Sequence, residues 1–378
     1  MADLRSVLNK ALTDPRGFAR KILRRTNVDY HLLKHSFFPE WVVIIPTYRC
    51  NLRCQMCFLF DEQGRSLIPA PLREELPLSK WQKIIEEIAA FAPHIYLVGG
   101  EPLLYKDLLR LVNYIKAAGL PCSMSTNGIL LADLAEEIVQ SGLDSLFVSI
   151  DGPEAIHNEI RGSGQAFQRA IDGLVRINQA KTRHKRSTPS LFVNCVVSSF
   201  NYQYLTEVVI AVRDLGLTEL RFQHPMFTNQ GVLRRHNDLF VTLFQSKSTS
   251  SVGFDRGYTD NIEIERLIQE LAEVRRIRQR PAIYFVPSLR NDDEIRGYYG
   301  DLSYRFGRGR CLAPWNRARI LPNGDLPVCF GYPDYVVGNV LQEGFAAVWN
   351  NGRYRDFRQK LKKVQLFPAC YRCCRRQY

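Results

Sequence analysis

The strongest constraint on how this chain folds is an alternation that runs from residue 41 to residue 223. Short apolar runs at 41–46, 94–98, 121–125, 145–150, 191–197 and 219–223 read as strands. Between them, apolar residues recur at helical spacing near 79–91, 105–118, 130–141, 165–180 and 203–215. Gly119, Gly142 and Gly216 follow three of these helical patterns, where glycine commonly ends a helix. Repeated strand–helix order makes parallel strands joined by right-handed crossovers. Six units are too few for a closed eight-unit barrel. The expected fold class is therefore α/β, a partial (β/α)6 TIM-like barrel, with chemistry at the C-terminal ends of its strands.

The remaining sequence divides around this core. Residues 1–40 form a basic N-terminal extension. Leu4, Val7, Leu8 and Leu12 fall at helical spacing, as do Phe18, Ile22 and Leu23, and Arg16, Arg20, Lys21, Arg24 and Arg25 crowd the second stretch. A helix packed on the barrel is favoured here over one lying on an anionic membrane. Residues 41–230 make the barrel, with 181–189 as a polar insertion loop. Residues 231–310 read as a loop and helix connection: 225–260 looks irregular, a mobile loop or lid, and 261–280 a charged helix. From Cys311 to the last residue, 378, glycine, proline, aromatic residues and cysteines become dense, which marks a small second domain.

The formal net charge of +13 favours an acidic partner such as an anionic surface, a phosphorylated substrate or an acidic electron-transfer protein. No specific nucleic-acid binding is expected. No apolar run is long enough to span a membrane, and the N-terminus lacks the pattern of a secretory signal. A cytoplasmic protein is expected, with peripheral membrane contact through the basic extension as the alternative to the packed helix. Six of the ten cysteines lie in two short segments, at Cys50, Cys54 and Cys57 and at Cys370, Cys373 and Cys374. In a reducing compartment such clusters read as metal ligands before disulfides.

The first group follows the first strand with spacing C-x3-C-x2-C. Three thiolates on one loop can each take one iron of a [4Fe–4S] cube and leave the fourth iron open, whereas zinc normally takes four closed ligands. This spacing, its place after strand one and the downstream Gly99-Gly100-Glu101-Pro102 resemble the radical S-adenosylmethionine (SAM) superfamily. The resemblance implies that the open iron chelates SAM. It also implies that the Gly99–Gly100–Glu101 segment binds the SAM ammonium, with Glu101 as the charged candidate. Ser125 and Asn127, after strand three, resemble a segment near the cofactor ribose. Ser149 and Asp151 end strand four, and Arg161 resembles the arginine that pairs with the SAM carboxylate. Asn194 on strand five is a weaker candidate. Met56 stands where the family often has an aromatic residue beside the adenine; a thioether can still pack on a ring face. Cys122 and Cys195 read as core residues.

The second group resembles a SPASM domain. Cys311 is followed by twelve residues, Gly324, four residues and Cys329, and the chain closes with Cys370, Cys373 and Cys374. Cys311, Cys329, Cys370 and Cys373 would close an auxiliary [4Fe–4S] cluster. Cys374 remains an alternative to Cys373, and zinc an alternative to iron. The longer family pattern holds a second auxiliary cluster, which is not expected here.

The resemblance implies reductive cleavage of SAM to a 5′-deoxyadenosyl radical that abstracts a substrate hydrogen, followed by oxidation or bond formation. The substrate expected is a small molecule or a lipid-linked sugar. A ribosomally made peptide and a non-catalytic, regulatory cluster protein are the alternatives. An acidic electron donor such as a ferredoxin or flavodoxin is the expected partner. Tyr298, Tyr299 and Tyr304 read as aromatic packing rather than pocket lining.

Overall fold

The computed structural model describes residues 36–374 except 248–253, 256, 279 and 308. The basic extension before residue 36 lies outside the described residues, and the expectations placed on it stay there.

The barrel is built of β1 (Trp41–Ile44), α1 (Leu78–Ala89), β2 (His94–Leu97), α2 (Leu108–Ala117), β3 (Cys122–Thr126), α3 (Ala135–Gln140), β4 (Ser145–Ser149), α4 (Glu154–Arg161), α5 (Ala166–Arg183), β5 (Ser190–Val196), α6 (Leu205–Val212) and β6 (Glu219–Gln223). Each of the six expected strands is present. The helices are amphipathic: α1 buries Trp81, Ile84, Ile85 and Ile88, and α2 buries Leu108, Leu111, Val112 and Ile115, one stripe per helix against the sheet. Cys122 and Cys195 are fully buried in strands, as expected of core residues.

Beyond β6 the structure departs from the sequence reading. Residues 225–260 are not simply irregular: α7 (Gln230–Phe244) runs through them, capped by the Asn229 side chain, which accepts from the Val232 N–H at 2.9 Å. Its buried residues are Val232, Leu233, His236 and Phe240. After α8 (Ile264–Arg276), β7 (Ala282–Val286) adds a strand outside β6, followed by α9 (Asp292–Gly300). Then β8 (Arg317–Ile320), from the segment read as a separate domain, joins the sheet on the far side of β1. The sheet is thus eight parallel strands in the order β7-β6-β5-β4-β3-β2-β1-β8, open between β7 and β8. It is a partial barrel with two more strands than the sequence pattern showed.

The C-terminal segment continues with an antiparallel pair, β9 (Asp325–Pro327) and β10 (Val336–Asn339), and with α10 (Gly352–Val364). It is fastened to the barrel at several points. The Glu87 carboxylate on α1 accepts from the Phe345 N–H at 2.9 Å. Phe240 and Phe244 of α7 pack against Tyr335, Phe357 and Phe367. Tyr298 is buried, its hydroxyl donating to the Pro225 carbonyl at 2.7 Å. Tyr299 meets His224 Nδ1 at 2.8 Å. Both tyrosines pack between elements and line neither cavity described below.

Candidate functional site

The cysteine loop after β1 is held by backbone contacts on two sides. The Gly100 N–H donates to the Thr47 carbonyl (3.1 Å) and the Glu101 N–H to the Arg49 carbonyl (2.7 Å). A Cβ at Gly99 would lie 2.2 Å from the Thr47 oxygen, and one at Gly100 2.3 Å from the Arg49 oxygen. These glycines let the loop lie directly on the end of β2. On the opposite side, the Gln55 N–H donates to the Ile160 carbonyl at the end of α4 (2.9 Å).

This clamping brings Cys50, Cys54 and Cys57 to the wall of one cavity of about 300 Å³ at the C-terminal ends of the strands. Met56, Gly99, Gly100, Ser125, Asn127, Ser149 and Arg161 line the same cavity. Asn127 Nδ2 donates to Asn51 Oδ1 (2.8 Å) and approaches Cys50 Sγ (3.9 Å). Burial raises the Cys50 thiol and pushes Cys57 up to about 11, and the neighbouring thiols add to both shifts.

Arg161 enters the cavity from the end of α4. Its guanidinium is paired with the buried Asp151 carboxylate, and Nη1 lies 3.7 Å from Cys54 Sγ. Its Nε is buried without a hydrogen-bond partner. Asp151 also accepts from the Val196 N–H (2.8 Å), and its own carbonyl accepts from Asn201 Nδ2 (2.6 Å).

Two of the residues picked from sequence stand behind the wall rather than in it. Glu101 is fully buried, and its carboxylate is taken up by the N–H groups of Leu103 (3.1 Å) and Asn127 (2.7 Å) and the Thr126 hydroxyl (2.9 Å). It ties the end of β2 to the end of β3. Asp151 likewise orients Arg161. Asn194 lines not this cavity but the adjoining one.

Two family models match the chain: the radical SAM superfamily over residues 44–194, and an iron–sulfur cluster-binding (SPASM) domain over residues 311–374. An AdoMet-dependent heme synthase of Methanosarcina barkeri is 32% identical over 335 residues, 86% of each chain. The chain belongs to the radical SAM superfamily. The Fe-coproporphyrin III synthase of the same organism is 24% identical, covering 85% of this chain and 76% of that one. Among solved structures, Streptococcus suis SuiB bound to precursor peptide SuiA superposes with a TM-score of 0.61. It is 18% identical and covers 88% of this chain and 69% of that one, a likeness of fold.

As a radical SAM protein with a SPASM domain, the chain uses a SAM-binding [4Fe–4S] cluster, SAM and an auxiliary cluster. The residues present fit the first two. Three thiols share one cavity, and Arg161 Nε is a buried donor awaiting an acceptor. Cys50, Cys54 and Cys57 would hold the cluster, and Arg161 is placed to receive a carboxylate.

The second cavity, of about 330 Å³, is lined by Cys311, Cys329, Cys370, Cys373 and Cys374. Here too the donor set fits a closed cluster, with one thiol to spare. The Tyr332 hydroxyl lies 2.8 Å from Cys370 Sγ, and the Gly331 N–H donates to Cys329 Sγ at 3.5 Å. Cys374 lines both cavities, whereas Cys373 lines only the second and packs with Met226 and Phe254. Val98, Ser125, Ser149, Val196, Gln223 and Phe330 also line both. Sequence reasoning missed Tyr332, Gln223, Phe330 and the arginines of β8, which carry no motif and reach the site only through folding.

Proposed function

We propose that this radical SAM protein oxidises a small molecule held between the two thiol-lined cavities. The observation that carries the reading is their common wall: Ser149, Gln223, Phe330 and Cys374 face both spaces. When bound, the first cluster and SAM supply a hydrogen-abstracting 5′-deoxyadenosyl radical, and the auxiliary cluster supplies an acceptor for the second electron. The protein's part is to orient and enclose. Arg161, steadied by Asp151, would hold the SAM carboxylate; Met56 would pack on the adenine; and Ser125 and Asn127 would meet the ribose. Phe58, Phe254 and Phe330 pack together in the wall of the first cavity and would limit water there.

The curated relatives reported above are named as synthases of heme and Fe-coproporphyrin III, which supports a small-molecule substrate over a peptide. The net charge of +13 supports an acidic electron donor. Among the described residues no helix is long and apolar enough to cross a membrane. We place the protein in the cytoplasm because its chemistry needs reduced thiols.

The reading is tested with cluster-replete protein, SAM and reductant. Extract from cells grown on deuterated medium is split into a fraction below about 1 kDa and a peptide fraction. Deuterium should appear in 5′-deoxyadenosine with the small-molecule fraction. Transfer from the peptide fraction alone would overturn the proposal. Absence of SAM cleavage by the reduced, cluster-replete protein would favour a non-catalytic role.

A further inference from the structure

We infer that the substrate presents an uncharged edge that both donates and accepts hydrogen bonds, neighbouring hydroxyls or a cyclic amide, and that the carboxamides of Asn194 and Gln223 read that edge. The inference rests on the small-molecule reading above and names the chemistry of what the second cavity takes.

Toward the N-terminal ends of the strands the barrel is closed by rings. Phe147 of β4 stacks on Phe192 of β5 with centroids 4.5 Å apart, and Tyr96 of β2 lies edge-on to Phe147 at 5.8 Å. Arg221 of β6 lies over Phe147 and Phe192 and is ion-paired with Glu219. Strand residues two apart share a face. Two residues further along β4, β5 and β6, toward the thiols, that face carries Ser149, Asn194 and Gln223. These three line the second cavity, whereas Phe147, Phe192 and Arg221 lie beneath it.

The register fixes how the two carboxamides stand. Asn194 pairs with Ser149 on one side and Arg221 on the other, and Gln223 pairs with Val196. Asn194 and Gln223 are thus diagonal neighbours, with Cα atoms about 8 Å apart from strand spacing and rise. Neither side chain is hydrogen-bonded to a described residue. Other polar groups of the barrel are spent internally. Tyr96 and Ser125 bond each other at 2.5 Å, and the Asn201 amide donates to the carbonyls of Asp151 and Val196. An open carboxamide has two N–H donors and an acceptor oxygen to fill.

Charge decides what can fill them. The charged side chains on this cavity are Arg317 and Arg319, and both are engaged, lying over Trp41 and Phe330. No Asp or Glu among the described residues lines it. A carboxylate only accepts hydrogen bonds and an ammonium only donates them. Either would satisfy half of each carboxamide and leave the other half unpaired, at a cost. Neighbouring hydroxyls, or the N–H and C=O of a lactam, match both halves. Val43, Ile45 and Val98 offer apolar contact for the rest of such a molecule. Gln223 lines both cavities, so an edge held there lies beside the space that would take SAM.

Isothermal titration calorimetry on anaerobic, cluster-replete, SAM-loaded protein tests this with three bicyclic probes of similar size. They are a vicinal cis-diol of tetralin, the lactam dihydroisoquinolinone and tetralin carboxylate. At least one neutral probe should bind more tightly than the carboxylate, and the tighter of the two identifies hydroxyls or amide as the edge. N194L and Q223M keep the side-chain volume and remove the hydrogen bonds. Each should weaken that neutral probe roughly three- to tenfold, the worth of one or two net hydrogen bonds, and leave the carboxylate within about twofold. The inference is overturned if neither neutral probe binds, if the carboxylate binds as tightly as the better of them, or if either variant binds that probe like the wild type. An equal loss for the carboxylate would also overturn it, by assigning the amides to the shape of the pocket. The deuterium-transfer assay fails or succeeds independently of probe binding, so failure of the small-molecule reading is told apart from failure of this site.

Discussion

The hydroxyl of Tyr332 lies 2.8 Å from the sulfur of Cys370. The phenol is almost fully buried, and the His236 ring stacks on it at 5.1 Å, so its direction is fixed by packing. If Cys370 binds iron as a thiolate, the phenol alone has a proton to donate. Hydrogen bonds to cluster sulfurs set reduction potential, and they favour the more negatively charged, reduced state. Y332F should therefore lower the midpoint potential of the auxiliary cluster while leaving iron content unchanged. A redox titration followed by electron paramagnetic resonance measures it, and an unshifted potential rejects the role.

Gly100 offers a test of the loop clamp. A methyl there would sit 2.3 Å from the Arg49 oxygen and 2.6 Å from the Tyr48 oxygen, both backbone atoms with little freedom to retreat. G100A should displace the Cys50–Cys57 loop and cost the SAM-binding cluster. Iron per chain should fall by about half, with the auxiliary signal retained, since four of eight irons would be held by each thiol group. Full iron content in G100A would show that the loop is not seated by this contact.

The Asp151–Arg161 pair is buried beside Cys54. D151N keeps the shape and leaves the arginine's charge without its counter-ion. Breaking such a pair costs about 3–5 kcal/mol. Urea denaturation of the anaerobic protein should show that loss, and SAM affinity should fall with it because Arg161 loses its support. A stability change within 1 kcal/mol, about the size of a surface pair, would mean that water reaches the pair.

Glu101 carries a pH signature. Burial pushes its carboxyl from 4.5 up to about 7, against the pull of its hydrogen bonds. The folded protein then holds this proton to higher pH than the unfolded chain does. Its contribution to stability is present below the unfolded value and is lost as pH rises through about 7, on the order of 3 kcal/mol in all. Compared with E101Q, the wild type should lose about that much unfolding free energy between pH 4.5 and pH 8. Parallel pH profiles for the two proteins would show that Glu101 titrates normally.

Much of this molecule was legible in the sequence because its pattern is local. Six strands and their helices announce themselves by period, and Cys50, Cys54 and Cys57 by spacing on one loop. What sequence did not reveal depends on distant partners. The helix α7 carries Gly231, Arg234, Arg235 and Asn237 in its first turns, which masks its apolar stripe, and that stripe is satisfied by Phe357 and Phe367 more than a hundred residues away. β8 is four residues long with two arginines, so it does not read as a buried strand until β1 is beside it. The motif marks Glu101 as a ligand group, but its carboxylate is engaged by Leu103 and, at the end of β3, by Thr126 and Asn127. The partition between Cys373 and Cys374 was invisible in spacing, and only the folded chain places Cys374 at both cavities.

The union of β8 with β1 has a consequence for electron exchange. β1 runs straight into the loop that bears Cys50, while β8 lies between Cys311 and Cys329, and Ile44 and Ile320 are paired in the same rung of the sheet. The two thiol-bearing loops thus start from strands that hydrogen-bonded register holds side by side. Tunnelling falls steeply with distance, so if electrons pass between the two sets of thiols, a ruler of this kind would make the transfer rate a property of the scaffold, less sensitive to the breathing that separately tethered modules would undergo.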